Sequence, residues 1–359
     1  MLNYITIFVS YKMERSNHIK GQGAQRNVIN RFDKYTYEPE DEDFETVKTT
    51  FTEVFPKSIV NPVKSPDLSM EYSLNPYQGC EHGCSYCFAR PTHEYWGFSA
   101  GIDFERKIMV KKNAPELLEK FFKKRGYTPK TIVMSGNTDP YQPVERKLEI
   151  TRKLLQVFLD YRHPVSFITK NALILRDLDL LIQLAEKNLV SVNLSIPTIN
   201  EDLRKVMEPR TSSVKNKLKA LEILSQNGIP VNVMAAPVIP GLNSEEGLNI
   251  YKTVSELGAK SAHHALIRLN DTVEPVFVQW VNAHFPERSQ KVLNLIRSMR
   301  AGNLGEKRYF ERYKGEGNIA EMIHQTFALA RRKYFHGKHI APLATEHFTG
   351  SKEQQLRLF

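Results

Sequence analysis

Cys80-Glu81-His82-Gly83-Cys84-Ser85-Tyr86-Cys87 spaces three thiols as C-x3-C-x2-C, and these are the only cysteines in the 359-residue chain. Three thiolates on so short a loop can converge on one soft metal centre, and a [4Fe-4S] cube held by three of them keeps one iron open to chemistry. A structural zinc site closes with four ligands, and His82 would have to supply the fourth from inside the loop rather than from a separate knuckle. A disulfide would leave one thiol over, and no secretory pattern points to an oxidising compartment.

With Asn75-Pro76-Tyr77-Gln78-Gly79 before it and Phe88-Ala89-Arg90-Pro91-Thr92 after it, the run resembles the signature of the radical S-adenosylmethionine (SAM) superfamily. The setting is similar to its spore photoproduct lyase-like branch of DNA-repair-type proteins, and more narrowly to an uncharacterised bacterial group there; the likeness spans residues 21–334. The resemblance implies a [4Fe-4S] cluster on Cys80, Cys84 and Cys87, with SAM chelated at the open iron. It also implies cleavage of SAM to a 5'-deoxyadenosyl radical by an electron from a donor such as flavodoxin or ferredoxin. Tyr86 would then lie beside the adenine; otherwise it is an aromatic packed under the loop.

With 41% hydrophobic and 25% charged residues, the chain can bury one large core with appendages. The apolar stretch at 4–9 is too short to span a membrane, and the cytoplasm is the expected location. A net charge of +10 and pI near 9.3 assist binding to a polyanion, since phosphate contacts release counterions. The excess gathers at Lys120, Lys123, Lys124 and Arg125, at 204–219 and at 297–338, where solvated helix faces would carry the same charges.

Residues 1–67 read as an irregular extension with little fixed structure before Ser65, an acidic linker at 38–45, and translation starting at Met1 or Met13. Strand patterns at 71–74, 131–135, 165–169, 191–196, 231–236 and 262–269 alternate with helical ones at 114–124, 144–161, 177–187, 214–227 and 245–257. Strands separated by helices imply a parallel α/β sheet, either a partial barrel or a doubly wound one. The resemblance selects a partial (β/α)6 TIM-like barrel over 68–270, with a C-terminal helical extension at 271–335 and a flexible tail at 336–359.

Barrel enzymes place chemistry at the C-terminal ends of their strands. There the resemblance assigns Thr138 and Asp139, in Ser135-Gly136-Asn137-Thr138-Asp139-Pro140-Tyr141, to the SAM amino group; an Asx or Pro turn is the plainer reading. Lys170 and Ser195 suit the SAM carboxylate, and Val238 and Ile239 would give backbone contacts to adenine. Arg268 is a candidate ligand for a substrate phosphate or carboxylate, and Tyr141 a second candidate catalytic residue. Spore photoproduct lyase returns a hydrogen atom from a cysteine near the stretch that Thr138 and Asp139 resemble. Here that stretch has none, so reversal of a thymine dimer is not expected; Tyr77, Tyr86, Tyr95 or Tyr141 would have to substitute.

Helical patterns at 276–285, 288–299 and 319–334 and the loops between them carry Trp280, Phe285, Arg297, Arg300, Arg308 and Arg312, which read as core aromatics and a solvated basic face or as a cap on the barrel. The terminal Gln355-Leu356-Arg357-Leu358-Phe359 resembles the peptide by which bacterial repair proteins bind the DNA polymerase III sliding clamp, with Gln355, Leu356, Leu358 and Phe359 as its anchors. The expected function is hydrogen abstraction from DNA or another nucleic acid. Its rivals are radical modification of a peptide, tRNA or metabolite, and a non-catalytic iron-sulfur redox sensor on DNA.

Overall fold

The computed structural model describes residues 19–32 and 48–350. Its strands are β1 (Thr50–Val54), β2 (Val60–Pro62), β3 (Tyr72–Leu74), β4 (Tyr77–Gln78), β5 (Lys107–Lys111), β6 (Ile132–Met134), β7 (Val165–Thr169), β8 (Val190–Ser195), β9 (Val231–Val238) and β10 (Ser261–Leu266). Its helices are α1 (Ile102–Arg106), α2 (Ala114–Phe122), α3 (Glu145–Leu148), α4 (Ile150–Asp160), α5 (Leu178–Ala185), α6 (Glu201–Met207), α7 (Val214–Gln226), α8 (Gly247–Glu256), α9 (Val273–His284), α10 (Ser289–Ser298) and α11 (Gly317–Tyr334). The 144–161 pattern is two helices, because Glu149 takes a left-handed conformation with φ of 51°. No described helix is long and apolar enough to cross a membrane.

Sheet order separates the two α/β alternatives. The larger sheet runs β10-β9-β8-β7-β6-β3-β2, parallel from β3 through β10, with β2 antiparallel at its edge. Its parallel strands follow chain order with no reversal, whereas a doubly wound sheet reverses at a switch point. The alternation of side chains agrees: Val190, Val192 and Leu194 join the main core with Leu181, Leu184 and Leu221 of the helices, while Ser191, Asn193 and Ser195 face the other way. Among the described residues the sheet is open, between β10 and β2.

Two expectations are corrected. Residues 50–62, expected to lack structure, form β1 and β2, and a small second sheet runs β1-β5-β4. The pattern of β1 misleads because four of its five residues are exposed, leaving no alternation to read. Residues 336–350, expected as part of a flexible tail, are a docked strap. Ala344 N–H donates to Asn188 O at 2.9 Å, Asn188 donates to Pro342 O at 2.9 Å, and Thr349 N–H donates to Tyr161 O at 3.1 Å. Phe348 is buried against Phe122, Tyr127 and His163. The acidic 38–45 run, both candidate start residues and the 355–359 peptide lie outside the described residues.

His163 stacks on Phe122 at 4.3 Å beneath this strap. Nδ1 faces the Pro164 carbonyl at 2.9 Å, which only an N–H satisfies, so Nε2 accepts from the Tyr127 hydroxyl at 2.9 Å. Burial lowers its pKa from 6.5 to about 3. The folded ring is therefore neutral where the unfolded one protonates, so this contribution is complete above 6.5 and is lost as pH falls from 6.5 toward 3. Urea unfolding should show stability that declines through this window, with a shallower decline in His163→Gln. Phe348→Ala should cost about 3 kcal/mol at neutral pH.

Candidate active site

The cysteine loop follows β3 and β4 at the C-terminal end of the parallel sheet and is fixed mainly through its backbone. Cys80 N–H donates to Phe104 O at 2.9 Å, Ser85 N–H to Met207 O at 3.2 Å, and Arg210 N–H to His82 O at 3.2 Å. Glu81 N–H donates to Gln142 Oε1 at 2.9 Å, and the Glu81 carboxylate accepts from Val144 N–H at 2.7 Å. Beneath the loop the fully buried Arg90 donates twice to Cys84 O, at 3.1 and 2.8 Å, once each to Ala100 O and Gly101 O, and pairs with the buried Glu105.

Glu105 also accepts from Ala24 N–H at 2.8 Å and Gly23 N–H at 3.3 Å. Residues 19–32 are thereby laid against the loop, so closely that a Cβ on Gly23 would stand 2.0 Å from Gly83 O. Only glycine fits there.

The thiols lie in an apolar pocket. Cys84 packs with Tyr86, Met207 and Ile239, and Cys80 with Ala89 and Phe104; Cys87 adjoins both groups. Burial raises the Cys84 and Cys87 pKa values, and the charge of neighbouring thiols adds to the rise. The His82 ring nitrogens lie 3.3 Å from Asp139 and 3.3 Å from Asn171, and the ring also interacts with the Cys80 thiol. Three thiols in an apolar, water-poor setting suit an iron-sulfur cluster. The buried Ser85 hydroxyl, without a partner among the described residues, is a free donor beside that set.

Residues from four strand ends and α6 meet beside the loop. Asp139 Oδ1 accepts from Thr169 Oγ1 at 2.7 Å and Tyr141 N–H at 2.9 Å; Oδ2 accepts from Lys170 N–H at 2.7 Å and faces His82. Burial disfavours its charge, but His82 and these donors hold its pKa below the usual carboxylate value. Thr138 donates to Gly79 O at 2.7 Å and accepts from Gln142 at 3.0 Å. Both side chains thereby fasten the strand end to the cysteine loop, and the Thr138 hydroxyl keeps a second acceptor lone pair.

Lys170 donates to Ser195 Oγ at 2.6 Å and pairs with Glu208 at 2.8 Å. Glu208 was not legible as a site residue; it is buried, pairs also with Lys217 at 2.6 Å, and accepts from the Tyr86 hydroxyl. Burial opposes its charge, but the two ammonium groups hold its pKa far below the ordinary value. The signal for it lay in α7, where Lys217 occupies the buried stripe of Val214, Ala220, Leu221 and Leu224. A lysine there requires a buried counter-charge. The 204–219 run, read as surface charge, is thus partly interior: Arg204 too is buried, capping the carbonyls of Glu208, Pro209 and Thr211.

Val238 and Ile239 close β9, with Ile239 packed against Tyr86 and Cys84. Their backbone is occupied: Asn243 takes Ile239 N–H at 2.6 Å, and Val238 O accepts from Ile267 N–H at 3.0 Å. Tyr141 is a core residue, fully buried against Phe167, and Tyr77 is buried on Glu145. Neither reaches the open site, Tyr86 is tied to Glu208, and Tyr95 is exposed. Arg268 forms no ion pair among the described residues and lies over the rings of Phe88 at 5.4 Å and Tyr313 at 4.7 Å. Trp280 and Phe285 belong to the core around Tyr86; Arg300 is buried, Arg308 pairs with Glu306 and Glu316, Arg312 with Asp67, and Arg297 meets Asn294.

Glu208→Ala leaves two buried ammonium groups without their counter-ion and should cost about 3–5 kcal/mol in urea unfolding. Lys217→Met, which keeps the stem volume, should cost less. Gly23→Ala should displace the 19–32 segment, read as faster proteolytic cleavage there than in the wild type.

A family model of the radical SAM superfamily matches residues 74–254. An uncharacterized protein of Mycobacterium tuberculosis is 31% identical over 252 residues, 69% of this chain and 74% of that one. One of Methanocaldococcus jannaschii is 28% identical over 238 residues, 66% and 85% of the two chains. A radical SAM Nalpha-GlyT isomerase of Pseudomonas phage M6 is 24% identical over 259 residues, 70% of this chain and 51% of its own length. The fold is similar to spore photoproduct lyase complexed with dinucleoside spore photoproduct, with TM-score 0.60, 15% identity and 80% of each chain covered. A second lyase structure, with bound AdoMet and the same dinucleoside, gives TM-score 0.59 and 17% identity over 80% and 79% of the chains. With the cysteine loop standing at the C-terminal ends of parallel strands, the chain belongs to the radical SAM superfamily, whose members carry a [4Fe-4S] cluster and SAM.

Proposed function

We propose that this radical SAM enzyme abstracts a hydrogen atom from a nucleic acid, with Cys80, Cys84 and Cys87 as its cluster ligands. The observation that carries the reading is the placement of the buried Cys80 and Cys84, the half-buried Cys87, Lys170 and Ser195 around one mouth of the sheet. The bound cluster and SAM supply the electron transfer and the 5'-deoxyadenosyl radical; the chain positions them and keeps water away.

Lys170 has three N–H donors, of which Ser195 and Glu208 take two; the third is free for the SAM carboxylate. Glu208 holds Lys170 in place between Ser195 and the cysteine loop. Tyr86 and Ile239 form an apolar wall that suits adenine. Thr138 and Asp139, at the end of the neighbouring strand, are proposed to receive the SAM amino group, for which Thr138 keeps an acceptor lone pair. A nucleic acid substrate is supported by the fold shared with a lyase that binds a dinucleoside and by the +10 net charge.

The 355–359 peptide is proposed to bind a sliding clamp. The strap leading to it docks on Tyr161 and Asn188, just before β7 and β8, at the end of the sheet opposite the cysteine loop. Removing Leu358 and Phe359 should abolish clamp binding in calorimetry; unchanged affinity contradicts this.

Anaerobically reconstituted protein, reduced in the presence of SAM, should release 5'-deoxyadenosine, detected by mass spectrometry. Cys84→Ala should lose both iron and product. Lys170→Met should keep its iron but bind SAM at least about tenfold more weakly. Deuterium carried from labelled DNA or RNA into 5'-deoxyadenosine would identify the substrate; transfer only from a peptide or metabolite would contradict the nucleic acid reading.

A further inference from the structure

At the rim of the cysteine loop, aromatic rings alternate with guanidinium groups. Phe88, next to Cys87, meets Arg268 at 5.4 Å; Arg268 meets Tyr313 at 4.7 Å; Tyr313 meets Arg312 at 5.0 Å; and Arg312 meets Tyr309 at 5.1 Å. Both terminal rings are exposed, Phe88 at 58% and Tyr309 at 52%. This ladder leads outward from the loop. It resists explanation as core packing, because its end rings bury too little surface to stabilise the fold.

The ladder is held rigid from below. Buried Arg300 donates to the carbonyls of Leu266 and Ile267 at the end of β10 and to that of Glu311, joining the strand to the 300–316 loop. Leu266 N–H donates to Tyr313 O at 3.1 Å. Asp67 fixes Arg312 and accepts from Phe310 N–H at 3.1 Å. Phe310 is itself left-handed, with φ of 68°, and is 54% exposed, so the cost of that conformation is not recovered by burial of its ring. Arg312 is neutralised by Asp67, whereas Arg268 has no ion-pair partner among the described residues, and burial lowers its pKa.

We propose that this ladder binds single-stranded or locally unpaired nucleic acid, with bases stacked on Phe88 and Tyr309 and Arg268 on a backbone phosphate. Alternating planar cations and rings offer π-faces to any base, and an unpaired guanidinium supplies the charge a phosphate needs. In a duplex the base faces are already stacked on one another, so such a surface discriminates against it. A strand lying along the ladder brings a base to Phe88, one residue from the cysteine loop. The inference rests on the nucleic acid reading of the same site and names the form of that substrate.

The test is fluorescence anisotropy of the full chain, purified anaerobically, with a labelled 12-nucleotide single strand of mixed sequence as DNA and as RNA, and with the matching DNA duplex. The single strand should bind at least about tenfold tighter than the duplex, and Phe88→Ala or Tyr309→Ala should each weaken it about fivefold or more. Both positions are exposed, so these variants should keep the wild-type melting temperature; Arg268→Met should weaken binding and reduce its salt dependence. Equal or tighter binding of the duplex, or affinity unchanged in the variants, overturns the proposal. Release of 5'-deoxyadenosine by the same preparation is scored separately: a chain that cleaves SAM but binds without the ladder refutes this inference alone, and ladder-dependent binding without SAM cleavage refutes only the catalytic reading.

Discussion

The buried pair of Arg90 and Glu105 is the constraint on which the site depends. All five N–H donors of Arg90 are used: two on the Cys84 carbonyl, one each on Ala100 and Gly101, and one on Glu105. Glu105 spends its remaining capacity on the backbone of Gly23 and Ala24 and on Arg210. A buried ion pair is costly to desolvate and contributes little net stability unless its hydrogen bonds are complete. Here they are complete, and apart from Arg210 every further partner is backbone, that of Cys84 in the loop and of Gly23, Ala24, Ala100 and Gly101 around it. The pair thereby converts a desolvation cost into a fixed loop geometry.

Around that loop the parallel sheet gathers residues far apart in the chain. Asp139 in the loop after β6, Lys170 after β7, Ser195 at the end of β8 and Glu208 after α6 are joined in one hydrogen-bonded chain that ends at Tyr86. Its buried carboxylates carry enough donors to stay ionised, and its lysines are held in place by Glu208. The site is therefore preorganised around one ammonium with a free donor, beside thiols whose own charge the apolar pocket disfavours until a metal cluster takes it up. Charge placement and strand topology are two consequences of the same layout.

Much of this was legible in the sequence. The C-x3-C-x2-C run located the loop, and period-two runs separated by helical ones located the parallel strands to within a few residues, because buried parallel strands leave a strong apolar signal. Lys170 and Ser195 were found because strand ends were inspected, and they do meet. What was not legible depended on distant partners. That Thr169, His82 and Gly79 hold Asp139 and Thr138 in place is not readable from the run containing those two residues. Tyr141 follows a polar turn yet points into the core. β1 and the 336–350 strap lack internal periodicity, and what fixes them is Lys107–Lys111 in the first case and Asn188, Tyr161 and Phe122 in the second.

The central claim is that Cys80, Cys84 and Cys87 leave one iron of a [4Fe-4S] cluster free for SAM. Electron paramagnetic resonance of the anaerobically reduced protein, recorded before and after SAM is added, tests it most directly. The claim predicts a [4Fe-4S] signal whose g values shift when SAM binds. A cluster signal that SAM leaves unchanged, or no cluster signal from fully reduced protein, would contradict it.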